Sequence, residues 1–120
     1  MRFTNCQVLS GSDSASVSGI QIDANQLIAA SFQAIFGDTS ADGTLFVQAS
    51  NDIDDISYQS SAGFTVTNWV NIPGATATVT NGVVSPITIS NVCYRWMRVM
   101  YTSNSGGSTT VVVHMFAQSL

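Results

Sequence analysis

Apolar and polar residues alternate along most of this chain, and a period of two dictates strands, not helices. In Thr44 to Ser50, the residues Leu45, Val47 and Ala49 oppose Phe46 and Gln48. Phe64 to Ile72 alternates in the same way, with Phe64, Val66 and Asn68 facing away from Thr65, Thr67 and Trp69. Arg2 to Leu9 alternates loosely and predicts a first strand, and Gly19 to Asp23 a short second one. Leu27 to Phe36 fits either period, since Ile28, Phe32 and Phe36 also suit a helix face. The turn-rich stretch Gly37 to Gly43 that follows decides for a strand, paired as a hairpin with Thr44 to Ser50.

Punctuation divides the rest. Pro73-Gly74 predicts the end of one strand, and Asn81-Gly82 predicts a two-residue hairpin between Ala75–Thr80 and Val83–Ser90. Pro86 makes the latter an edge or broken strand. Cys93 to Thr102 and Thr109 to Gln118 are long β runs joined by a Ser/Gly loop, which predicts a closing hairpin. About eight short strands with frequent turns predict an all-β fold: an antiparallel β-sandwich of jelly-roll type. A chain of 120 residues without an internal linker predicts a single domain over 1–120, with 10–18 as an arm or loop. An arm of that kind could dock on a neighbouring subunit.

The charge inventory restricts function. The sequence has no lysine and no glutamate; Arg2, Arg95 and Arg98 face seven acidic residues, all aspartate, for a net charge of −4. Three arginines cannot build the basic patch that nucleic acid or an anionic membrane requires, so neither is expected as a direct partner. No apolar run reaches the length of a membrane span, and no apolar stretch follows Arg2 as in a signal peptide. Synthesis in a host cytoplasm is therefore expected, with Cys6 and Cys93 as free, buried thiols and not a bridge.

Each candidate for chemistry has a structural counterpart. Asn51-Asp52-Ile53-Asp54-Asp55 and Gly37 to Gly43, with Asp38 and Asp42, present carboxylates on loops, but neither has the ligand spacing of a calcium loop. His114 lies alone in a β run, no Gly-x-Ser-x-Gly elbow surrounds a serine, and no nucleophile, base and orienter form a set. No catalytic residue, cofactor or metal is expected, and the chain is read as a non-enzyme. In Tyr94 to Tyr101, Arg95, Met97, Val99 and Tyr101 share one strand face, and Tyr94, Trp96, Arg98 and Met100 the other. That segment is either a ligand surface, where arginine meets a carboxylate or an aromatic ring, or a central strand with its arginines paired internally. The second reading is preferred, with Trp96 as a core residue.

The motifs Gly19-Ile20-Gln21-Ile22-Asp23-Ala24-Asn25-Gln26, Leu45-Phe46-Val47-Gln48-Ala49-Ser50-Asn51-Asp52, Trp69-Val70-Asn71-Ile72-Pro73-Gly74 and Tyr94 to Thr102, in this order, resemble small β-sandwich structural proteins of tailed bacteriophages. The resemblance spans Gly11 to Gln118. It implies a virion protein, for capsid decoration or cementing or as a fibre- or tail-associated piece, with other virion proteins such as the major capsid protein as partners and a homo-oligomeric state. A weaker resemblance, carried by Ser50-Asn51-Asp52, a later Trp and the aromatic-Arg strand, is to discoidin-type carbohydrate-binding sandwiches. It implies a shared β-sandwich plan more than sugar binding; the alternative function is a glycan- or cell-surface-binding module of a tail or head fibre.

Overall fold

The computed structural model describes residues 2–52 and 65–120. Among them the alternating segments become strands: β1 (Arg2–Ser12), β2 (Val17–Ser18), β3 (Ile22–Asp23), β4 (Leu27–Phe36), β5 (Gly43–Ser50), β6 (Val70–Val79), β7 (Ile87–Ile89), β8 (Trp96–Ser103) and β9 (Thr110–Ser119). They form two antiparallel sheets. Sheet A has the order β1-β9-β4-β7, and sheet B the order β2-β8-β5-β6 with β3 also paired to β8. β2 and β3 lie along the same strand and act as one interrupted edge. With that edge counted once, the order is that of an eight-stranded jelly roll. The first half of the chain pairs back on the second: β1 with β9, β2 and β3 with β8, β4 with β7, and β5 with β6.

The core lies between the sheets, where every second residue points inward. Phe32, Leu45, Val47, Met97, Val99, Tyr101, Val111 and Val113 are all fully buried. On one side the two sheets are stitched together. The N–H of Gly19 donates to Val99 O on β8 (2.7 Å), and the N–H of Ile20 donates to Val8 O on β1 (2.9 Å). β1 shifts register between Gln7 and Leu9, at the seam where Val8 O accepts.

Several expected pairings are replaced by the jelly-roll plan. The hairpin of 28–36 with 44–50 does not form: both segments are strands, but β4 belongs to sheet A and β5 to sheet B. The closing hairpin fails in the same way, because β8 and β9 lie in opposite sheets. In each case the loop is long enough to cross the ~10 Å between packed sheets, and each strand gains two neighbours inside its own sheet. β8 also starts at Trp96, not at Cys93.

Pro73-Gly74 does not end its strand. β6 is an edge strand, where a proline costs no ladder hydrogen bond. Gly74 at φ 78° forms an irregularity opposite the interval from Phe46 to Gln48. Asn81-Gly82 does make the expected tight turn, with φ of 51° and 72° and Thr80 bridged to Val83. Beyond it, however, the chain leaves sheet B and β7 pairs with β4. Residues 10–18 are built into the fold: β1 continues through Ser12, Asp13 is fully buried, and β2 pairs with β8. In the segment 64–72, strand structure begins at Val70, and Phe64 lies outside the described residues.

Candidate functional site

Strand β8 is central in sheet B, as expected, and its two faces have different roles. Met97, Val99 and Tyr101 point into the core. Trp96, Arg98, Met100 and Thr102 point out, level with Ser50, Gln48, Phe46 and Thr44 on β5. Trp96 is buried at 4 % exposure but lies outside the core cluster between the sheets. Its indole N–H donates to Asp52 O (3.3 Å), and the Arg95 guanidinium lies over its ring at 3.9 Å.

The two arginines differ. Arg95 forms an ion pair with Asp23 of β3. Arg98 has no carboxylate partner among the described residues. Its Nε–H donates to Gln48 Oε1 (2.8 Å), the Gln48 amide donates to Asn71 Oδ1 (2.9 Å), and its guanidinium stacks on the Trp69 ring at 4.4 Å. Partial burial depresses the Arg98 pKa. The outer face of sheet B therefore carries a planar cation held between an amide relay and an indole.

Next to this face is a cleft of about 330 Å³, lined among others by Tyr94, Asn51, Asp52, Asn68, Asn71 and Ile72. Asp52 organises its rim. Its carboxylate accepts from the N–H of Thr67 (2.9 Å), the N–H of Asn68 (3.1 Å) and the Asn68 side-chain amide (2.9 Å). These bonds, the Thr67 N–H first, lower its pKa. Asn51 Oδ1 accepts from the Arg95 N–H (2.9 Å).

The acidic candidates are thus already engaged. Asp38 accepts from the N–H and hydroxyl of Ser40, and Asp42 accepts from the N–H of Asn81. Asp54 and Asp55 lie outside the described residues. No group of three or more His, Cys, Asp or Glu comes together among the described residues. Cys6 and Cys93 are unbridged and both exposed, against the expectation of burial. Cys6 is level with Met115, so it points away from the face that carries His114.

The sequence did not reveal Asp13. It sits at one end of the sandwich and accepts hydrogen bonds from the Tyr101 and Ser105 hydroxyls. Its backbone is also held: its N–H donates to Thr109 O (2.8 Å), and its carbonyl accepts from the Ser103 hydroxyl (2.6 Å). Burial pushes its carboxyl up, but the bonds from Ser105, Tyr101, Ser103 and Gly107 outweigh this and leave it below the ordinary range. The same burial and the Asp13 charge push Tyr101 far up, so the phenol stays protonated. An aspartate among serines gives no hint of this role in the sequence.

The outer face of sheet A is of another kind. Phe3 of β1 stacks on Phe116 of β9 at 5.5 Å and 12°, and they are 61 % and 50 % exposed. Around them lie Asn5, Gln7, Ala29, Ser31, Gln33, Ile35, Val112, His114 and Gln118. None of these is an aspartate, glutamate, lysine or arginine.

No family model matches the chain, and neither does the sequence of a curated protein. Among solved structures, it is similar to the SPBc2 prophage-derived protein YomS, with a TM-score of 0.53 at 10 % identity, covering 98 % of this chain and 94 % of that one. It is also similar to the K1 cleaved adhesin domain of Lys-gingipain from Porphyromonas gingivalis W83, with a TM-score of 0.47 at 8 % identity, over 92 % and 73 % of the two chains. At these identities the likeness to YomS shows the fold alone.

Proposed function

We propose that this chain is a non-enzymatic structural protein of a phage virion, a capsid decoration or cementing subunit that works by burying the outer face of sheet A against neighbouring subunits. The observation that carries this is the composition of that face: no Asp, Glu, Lys or Arg, and a stacked, exposed Phe3–Phe116 pair at one end. Interface cores are depleted of charge and enriched in aromatic residues. The adjoining edge adds to it. β1 ends sheet A, Arg2 to Gln7 are exposed, and beyond Arg2 no charge, proline or bulge interrupts those residues. An edge without such protection is a template for another strand. Copies of the chain would associate through this face and edge, with the major capsid protein as the further partner. The jelly roll is a plan shared by capsid and lectin domains, and a prophage-derived protein of the same fold is consistent with the reading. The fold alone does not decide between such functions.

The test is stoichiometry. Virions purified through successive density gradients should contain the chain at a fixed copy number relative to the major capsid protein. A chain lost from particles, or present in varying amounts, would refute the structural role.

A second reading, a glycan- or cell-surface-binding module of a tail or head fibre, is favoured by the cleft lined with Tyr94, Asp52 and asparagines. An aromatic ring beside amides and a carboxylate suits a sugar.

A further inference from the structure

We propose that Arg98 is the anchor of a binding site for a sugar carboxylate, of the uronic acid class, on the outer face of sheet B. The inference deepens the second reading and is independent of the assembly reading, which uses the opposite face of the sandwich.

The arginines make the case by contrast. Arg95 is neutralised by Asp23, whereas no described carboxylate reaches Arg98. Only Nε of Arg98 is engaged by a protein acceptor, Gln48 Oε1 at 2.8 Å. The terminal nitrogens are left with their N–H donors, and no buried side-chain donor lacks a partner among the described residues, so this end of the fork is not sealed in the interior. The plane of the fork is fixed from two sides, by the Gln48–Asn71 amide relay and by the Trp69 ring at 4.4 Å. A half-buried guanidinium held in one plane is prepared to take a carboxylate through two parallel hydrogen bonds, with little orientation left to lose.

The surroundings point to a saccharide. Past Met100 and Phe46, which flank Arg98 and Gln48, the same outward face carries Thr102 and Thr44, level with each other across β8 and β5, and Thr76 and Thr78 continue it on β6, along the length an oligosaccharide would cover. Hydroxyls and amides at that spacing exchange hydrogen bonds with sugar hydroxyls. Asp23 would repel an acidic ligand, but it is held by Arg95. The overall charge of −4 opposes any anion. Binding must therefore come from local geometry and not from long-range attraction.

Trigalacturonate, its methyl ester and a tetra-aspartate peptide would be titrated into the full chain, with the Arg98 Nε–H and Trp69 indole signals followed by NMR. The acid should bind at least about tenfold tighter than its ester, as expected when a charge-assisted bidentate contact is lost, and should shift both signals. Arg98→Gln should abolish that preference, and Gln48→Ala, which keeps the charge but frees the fork, should weaken it in part. Folding of each variant is read from the dispersion of its spectrum, and Gln48→Ala serves if Arg98→Gln unfolds. Equal binding of acid and ester, or binding unchanged in both variants, overturns the Arg98 site while leaving a glycan module in place. Absence of binding by either sugar overturns both. Binding of the peptide as tight as that of the sugar overturns the saccharide in favour of an acidic protein partner.

Discussion

Phe32→Ala should destabilise the protein by about 4 kcal/mol, the range for emptying an aromatic site in a packed core. Phe116→Ala should cost less than about 1 kcal/mol. Both phenylalanines are on sheet A, one strand apart. Phe32 is level with Met115 of β9, and both point between the sheets, where Phe32 is fully buried. Phe116 follows Met115 by one residue and therefore faces outward. Its contact is the exposed ring of Phe3. Chemical denaturation of the two variants checks the inside and outside of the sheet. Equal losses would show that the outer face is packed within the monomer, and would remove the surface on which assembly is argued.

Asp13→Ala should cost about 3 kcal/mol, because the hydroxyls of Tyr101 and Ser105 would lose their acceptor at a buried site. Three chain segments meet there: the end of β1, the end of β8 and the crossing that leads to β9. The loss should also depend on pH. The folded pKa of Asp13 lies below its ordinary value of 3.8. The part of the wild-type advantage that comes from this shift is therefore present above that value and is lost as pH falls through the lower folded pKa. Asp38 and Asp52 are depressed too, by hydrogen bonds on the surface, and add slope of the same sign. Thermal melts between about pH 2 and 6 should show the gap between the two proteins narrowing in acid. A constant difference across that range would contradict the charged state assigned to Asp13.

The strands were legible from the sequence because period-two alternation is local. Leu45, Val47 and Ala49 could be placed on one face without knowing what lay opposite. Pairing was not legible. The turn residues in Gly37 to Gly43 and Ser103 to Ser108 look the same whether the chain returns to its own sheet or crosses to the other. Only the competition among all strands for neighbours decides this, and that is a property of the whole jelly roll. Pro73 carries no end-of-strand meaning of its own, because its effect depends on whether β6 is an edge. For the site, Tyr94 to Tyr101 stood out at once by its mix of arginine and aromatic residues. Its division into an Arg95 paired with a carboxylate and an Arg98 held by an amide depends on Asp23 and Gln48, distant in sequence. Asp13 was invisible, because nothing in a serine-rich stretch announces that it folds inward.

The central claim is that the outer face of sheet A is a contact surface between copies of the chain. Sedimentation velocity of the wild type and of Phe116→Arg, over a range of concentrations, tests it most directly. The variant places a charge at an exposed position, so it should remain folded. The account predicts a concentration-dependent oligomer for the wild type and a folded monomer for Phe116→Arg. A wild type that stays monomeric throughout, or a variant that associates as the wild type does, would contradict it.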